Sequence, residues 1–296
     1  MRRLGCALAL SLCAALAADF QDENEDWYSG VDFEIQHHTK WLCGEKCGFG
    51  KSLQRGWFAY EKATKLAALP VEPHRSRLCA TIAAHMDRPV RLMLDHGAGP
   101  FTNLGARFTC PEHKFAMAGW MPVDAQVVAL DPLAPLYHRL LNNYSVYDTL
   151  RTQRCGSEHL ISCIGREVVD VSIIINALDH SKNAPHAWQE ALHVTAVGGL
   201  ACVFTMVNEA DSQHGTGFHK WNFALNKKRE WTMTNSATGH VTNIDTSFQE
   251  YMRRVDIPVD PDPNKPQSGL PFPDGQFMAC YKKLRSMPVT EKRRRR

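Results

Sequence analysis

Nowhere does this chain of 296 residues carry 18 consecutive apolar residues. It therefore has no segment suited to a bilayer core, which needs about 20. Basic residues are not massed in the body: residues 18–290 hold 27 Lys and Arg against 30 Asp and Glu. The net charge of +3 comes from the ends, Arg2-Arg3 and the run from Lys292 to Arg296. A nucleic-acid groove needs basic residues clustered on one face, so no nucleic-acid partner is expected. The terminal run reads as a solvated tail whose like charges repel. No internal repeat is visible. Cys43-x-x-x-Cys47 has no second close Cys pair beside it. A zinc site made from that pair with His37 and His38 is therefore disfavoured, and no metal site is assigned.

What is present is ordinary for a globular α/β chain: 44% hydrophobic and 22% charged residues. A core of this size needs no staples. The first residues read as a cleavable leader. Arg2-Arg3 precede an apolar run from Leu4 to Ala18, and Ala15-Leu16-Ala17 has the small-x-small form of a cleavage site. The acidic stretch that follows argues against an organellar transit peptide. These features imply the secretory pathway, with a cytoplasmic location as the alternative, and a soluble mature protein. Eight cysteines remain after the leader, which permits disulfides without requiring them. Cys163 and Cys202 lie in or next to apolar runs and read as buried thiols. Asn143-Tyr144-Ser145 is a glycosylation sequon.

The order of elements is the strongest signal. Residues 27–85 look mainly helical, with helices expected over 57–69, stopped by Pro70, and over 73–85. From residue 88 the pattern becomes one of short runs rich in Val and Ile. These cover 90–95, 127–131, 168–175 and 200–207, and end at Asp95, Asp131, Asn176 and Asn208. Helical segments separate them, notably 135–141 and 184–194. Strands alternating with helices predict a parallel sheet covered on both faces. Two late strands, 231–234 and 277–283, are expected at its antiparallel edge, after a proline-rich loop over 257–273.

In an open α/β sheet the ligand lies at the carboxyl ends of the strands, near the topological switch point. After the first strand comes Asp95-His96-Gly97-Ala98-Gly99-Pro100. Its glycines let the backbone approach a ligand. After the second comes Asp131-Pro132, where a carboxylate either accepts hydrogen bonds from ribose hydroxyls or caps a helix. A dinucleotide fingerprint wants a third glycine where Thr102 stands, and an acid about 20 residues on. Neither is met.

These segments resemble the class I methyltransferases that use S-adenosyl-L-methionine (SAM). Leu94-Asp95-His96-Gly97-Ala98-Gly99-Pro100 is similar to their first motif and Val128-Ala129-Leu130-Asp131-Pro132-Leu133 to their second. Val169 to Ser181 resembles the fourth-strand motif, and Val197-Gly198-Gly199-Leu200 the turn entering strand five. Asn176-Ala177-Leu178-Asp179-His180-Ser181, with the later His219-Lys220-Trp221-Asn222, resembles a narrower subgroup.

The resemblance implies an α/β Rossmann-like sandwich, with a mostly parallel seven-stranded sheet and an antiparallel edge strand. It divides the chain into a signal peptide (1–17), a helical extension (18–87), a methyltransferase domain (88–285) and a basic tail (286–296). It implies SAM as cofactor, with Asp95, Gly97 and Gly99 around its methionine part and Asp131 on its ribose. Glu158, in the adenine-side loop Gly156-Ser157-Glu158, and Asn176 complete the expected cofactor set. Transfer to an oxygen or nitrogen acceptor can use a base. His180, Asp179 and His219 are the expected catalytic group, and Glu209 and His214 are further candidates. The loop carrying His214, His219 and Trp221 suits a sugar or small polar acceptor. The competing readings are a SAM-fold binding protein without catalysis and an NAD(P)-dependent oxidoreductase.

Overall fold

A computed structural model describes residues 25–43, 73–102, 104–110, 123–146, 150–257 and 276–288. The leader, the expected helix over 57–69, Cys47, the proline-rich loop beyond residue 257 and the basic run lie outside the described residues.

The chain opens with two helices, α1 (Glu25–Cys43) and α2 (Pro73–His85). The strands of the main sheet follow: β1 (Leu92–His96), β2 (Arg107–Thr109), β3 (Asp124–Asp131), β4 (Gln153–Arg154), β5 (Val169–Ile175) and β6 (Thr195–Met206). Helices α3 (Ala134–Asn143), α4 (Leu160–Ile164) and α5 (Ala184–Val194) run between them. The short helix α6 (Glu209–Ser212) leads to β7 (Trp221–Leu225), β8 (Trp231–Asn235) and β9 (Val241–Asn243). The described chain closes through α7 (Ile244–Ser247), β10 (Met252–Val255) and β11 (Gln276–Lys283).

The main sheet runs β10-β11-β6-β5-β1-β3, with β2 and β4 sharing the outer side of β3. Pairs β1–β3, β1–β5, β3–β4 and β5–β6 are parallel. The strand β11 is antiparallel to both β6 and β10, and β2 is antiparallel to β3. This is the Rossmann-like class I methyltransferase sandwich, with β2 as an eighth strand. Strand order reverses between β1 and β5, because the chain first builds outward through β3 and β4 and then returns to add β5 and β6. That switch point leaves a crevice at the carboxyl ends of β1, β3 and β5.

Period-2 alternation assigns each strand residue to one face. Val171 and Ile173 of β5, Leu200 and Cys202 of β6, and Met278 and Cys280 of β11 pack on the α2 side, against Leu78 and Ile82. Ile174, Ala201, Val203, Ala279 and Tyr281 face the other way, onto Trp188 and Leu192 of α5.

On that second side β7, β8 and β9 form a separate three-stranded antiparallel sheet. The stretch expected at the main sheet's edge, 231–234, belongs there instead. Its neighbour β7 pairs with it residue for residue, and Trp221, Phe223, Trp231 and Met233 all join the buried cluster that contains Trp188 and Leu192 of α5. Trp231 meets Trp188 edge-on, ring centroids 5.1 Å apart, a geometry worth about 0.5–1.5 kcal/mol beyond area burial. No helix among the described residues is long and apolar enough to cross a membrane.

Among the described residues, three disulfides join Cys79 to Cys110, Cys155 to Cys163 and Cys202 to Cys280. Cys163 and Cys202 are thus not the free thiols expected. Cys202 and Cys280 are direct cross-strand neighbours in β6 and β11, a register that apolar surroundings alone do not reveal.

Candidate functional site

The turn after β1 is fastened to the end of β3. The amides of Gly97 and Ala98 both donate to the Leu130 carbonyl, at 2.8 and 3.1 Å. Gly97 has φ +75°, and a Cβ there would lie 2.5 Å from the Ala177 Cβ. Only glycine lets the β1 turn and the segment after β5 approach this closely.

One residue further into the crevice, Asp131 binds both loops. Its Oδ2 accepts from the Gly99 amide at 2.9 Å, and its Oδ1 accepts from the Leu133 amide at 2.8 Å. The cap and ligand readings of this carboxylate are therefore compatible, since each carboxylate oxygen has a second lone pair. Burial raises the Asp131 pKa to about 6, against the lowering effect of its two amide donors.

Asp95 lies one layer deeper and is 1% exposed. Thr102 Oγ1 donates to its Oδ2 at 2.5 Å, and its Oδ1 has no hydrogen-bond partner. Burial raises this carboxyl to about 7, although the Thr102 bond works the other way. The residue that stands where a dinucleotide fold has its third glycine is thus a hydrogen-bond donor to Asp95. His96 is buried beside it, 3.1 Å from the Ser157 hydroxyl, and burial lowers its pKa to about 3.

These elements open onto a cavity of about 630 Å³, within the range of cofactor pockets. Gly97, Asp131, Glu158 and His180 line it, as do Gly156 and Ser157 of the expected adenine-side loop. The Cys155–Cys163 disulfide closes that loop, and the Cys155 amide donates to the Asp131 carbonyl at 3.2 Å. Asp95, Gly99 and Asn176 are not among the residues lining the cavity, and Gly99 reaches it only through its amide bond to Asp131.

The second half of the site lies beyond β5 and β6. Asn176 ends β5 in the left-handed region, φ 48°, and its side chain hydrogen-bonds Glu209. Asp179 and His180 follow on a short 3-10 turn, Leu178–His180. His219 Nδ1 donates to Asp179 Oδ2 at 2.5 Å. His180 Nε2 is 3.5 Å from the same oxygen, and Glu209 Oε1 is 4.0 Å from His219 Nδ1. Burial alone would lower the His219 pKa, but Asp179, Glu209 and Glu34 together raise it. Glu209 is itself pushed up, by burial and by Asp179.

All three expected catalytic residues are therefore gathered, with His180 on the cavity wall and Asp179 and His219 behind it. His214 is exposed in the turn before them, with φ 54°.

Sequence reasoning missed Glu34, carried by α1. Val31 and Ile35 seat this helix on Leu133, Leu136, Tyr137 and Phe218. Two glycines make the seat close: Gly30 faces the Phe218 ring and Gly217 faces the Phe33 ring. Glu34 thereby lines the cavity, 3.5 Å from His38 Nε2 and 3.6 Å from His180 Nδ1. Burial would raise its pKa, but His38, His180 and His37 outweigh that and hold it at about 2. The only local sign was the i, i+4 spacing of Glu34 and His38, which does not say what the pair faces.

No protein-family model matches the chain, and no curated protein matches it. Among solved structures, the CurJ carbon methyltransferase is 14% identical, with 92% of this chain and 70% of that one covered, at a TM-score of 0.43. An O-methyltransferase family protein from Burkholderia thailandensis is 11% identical, covering 79% and 60%, at a TM-score of 0.39. The PH0226 protein from Pyrococcus horikoshii is 11% identical, covering 72% and 92%, at a TM-score of 0.35. At these identities and TM-scores the fold assignment rests on the strand order described above.

Proposed function

We propose that this protein is a SAM-dependent methyltransferase acting on a small-molecule or glycan acceptor. One observation carries the reading. The carboxylate of Asp131 stands at the switch-point crevice, tied to Gly99 and opening with Gly97 onto a cavity of about 630 Å³. The residues present fit SAM: a buried carboxylate with lone pairs left for two hydroxyls, a glycine turn without side chains, and a separate loop at Gly156–Glu158 for a base.

Asp131 would hold the ribose, the β1 turn would hold the methionine part with Asp95 beneath it, and the loop of Glu158 would face the adenine. SAM supplies a methyl group on a sulfonium, so the hard chemistry belongs to the cofactor. The protein's task is to align the acceptor, exclude water and remove its proton where the acceptor carries one. The position of His180, backed by Asp179 and His219, supports placing the acceptor on that wall. Alignment of this kind accounts for roughly 7–11 kcal/mol in favourable cases.

The test is calorimetry with SAM and with NAD(P)H, followed by transfer of label from methyl-labelled SAM to candidate sugars and small polar molecules. SAM binding with transfer is the expected result. SAM binding without transfer to any acceptor would favour the non-catalytic binding protein, and NAD(P)H binding instead of SAM would favour the oxidoreductase.

We further propose that the mature chain works in the secretory pathway. The leader-like first residues support this, as do three disulfides, which persist in oxidising compartments. A reporter fused to residues 1–30 that stays in the cytosol would rule it out.

A further inference from the structure

We infer that Asp179, His180 and His219, with Glu209 beside them, form a binding site for one divalent first-row transition cation. The sequence assigned no metal here, because the four residues come from three separate segments. In the fold, one ligand atom from each of Asp179, His180 and His219 lies within 4.8 Å of the other two. Ligands around a single ion with bonds near 2.1 Å are separated by roughly 3–4.2 Å, so small side-chain movements suffice.

A second, independent observation points to a missing occupant. Asp179 Oδ1, His180 Nε2 and Glu209 Oε2 are all buried without a hydrogen-bond partner. Asp179 is 0% exposed and Glu209 6% exposed, and an unpaired carboxylate oxygen at such depth is costly. The two carboxylates lie close together, with Glu34 on the far side of His180. The bonds already present in the cluster leave two carboxylate oxygens and one imidazole nitrogen without a partner, and a cation held by Asp179, His180 and His219 would supply the missing positive charge.

The donor set selects the class of ion. Two imidazoles with one or two carboxylates suit Zn²⁺, Co²⁺, Mn²⁺ or Fe²⁺, whereas Mg²⁺ and Ca²⁺ want oxygen alone. His180 also lines the cavity, so an ion there would have an open side towards an acceptor. Any part in catalysis rests on the methyl-transfer reading; the existence of the site does not.

The experiment uses the full chain, stripped with a chelator and desalted, without any nucleoside. Co²⁺ is titrated with detection by calorimetry and by its visible spectrum, and Zn²⁺ is used in competition. The expected result is one equivalent bound, with a spectrum showing nitrogen and oxygen ligands, and much weaker binding of Mg²⁺. H180A, H219A and D179N should each weaken Co²⁺ by at least about tenfold, the lower bound seen even for outer partners of a metal.

A variant with both His37→Ala and His38→Ala should bind as the parent does. Circular dichroism checks folding, and H180A decides if the more deeply buried variants do not fold, since His180 is half-buried on the cavity wall. Absence of saturable binding, unchanged affinity in H180A, or tighter Mg²⁺ than Co²⁺ binding would each overturn the inference. Because SAM is titrated separately, failure of the cofactor reading and failure of the cation site give different results.

Discussion

The indole N–H of Trp221 donates to the carbonyl of Ser181 at 2.8 Å, joining two segments 40 residues apart. Around this bond the two motifs clasp each other. His219 reaches Asp179, the Lys220 amide donates to the Asp179 carbonyl at 3.0 Å, and Asn222 holds Asp211 beyond β6. The motif residues thus build one another's positions, and His180 is presented to the cavity as a result.

Asp131→Asn should weaken SAM binding by about 10- to 150-fold, the equivalent of about 1.5–3 kcal/mol for a charge-assisted hydrogen bond. The asparagine still offers an acceptor to one of the two amides, so folding is expected to survive. Calorimetry checks this, and an affinity equal to that of the parent removes Asp131 from the cofactor site.

SAM affinity should also depend on pH. Burial raises the Asp131 carboxyl to about 6, and only the ionised form accepts from both ribose hydroxyls. Affinity is therefore expected to be full above about pH 7 and to fall as pH drops through 6, with the decline abolished in Asp131→Asn. A flat profile from pH 8 to 5 in the parent would contradict it.

Asp95 provides a stability test with a definite sign. Its folded pKa is raised from 3.8 to about 7, so the folded chain holds its proton more tightly than the unfolded chain. That contribution to stability is complete below pH 3.8 and is lost as pH rises through 7. Asp95→Asn removes the dependence. Its stability relative to the parent should therefore improve from pH 4.5 to pH 8 in urea unfolding, and a difference that shrinks over this range would refute the assignment.

Two glycines separate backbone strain from crowding. Gly198 has φ +81° and open space where a Cβ would be, while Gly97 has φ +75° and the Ala177 methyl 2.5 Å away. Gly198→Ala should cost about 1–2 kcal/mol for the left-handed backbone alone. Gly97→Ala should cost more and should also impair SAM binding. Equal costs in thermal or urea unfolding would mean that the β1 turn and the segment after β5 are not in contact.

The cross-strand disulfide between Cys202 and Cys280 closes a long stretch of chain. Replacing both cysteines by alanine should lower stability by about 2–5 kcal/mol, measured by urea unfolding, while β6 and β11 stay paired through their backbone bonds. No change in stability would indicate that the two thiols are not joined.

Much of this architecture is visible locally. The apolar run over 168–175 becomes β5 at Val169–Ile175, and the helix expected over 184–194 is α5 at Ala184–Val194. The run ending at Asp131 becomes β3, so the carboxylate emerges at the crevice as its position implies. The strand at Trp231–Asn235 was also visible, but its sheet was not. Alternation shows that a strand has an apolar face without showing which of two sheets that face completes.

Hydrophobic period, glycine turns and acids at strand ends are properties of neighbouring residues. They were enough to read a parallel α/β sheet and the crevice at the carboxyl ends of its strands. Disulfide partners, the helix that brings Glu34 over the cavity and the cluster of Asp179, His180, Glu209 and His219 depend on register between distant segments. The packing of Val31 and Ile35 on α3, the joining of β6 to β11 and the clasp of Trp221 on Ser181 set those registers, so only the folded chain decides them.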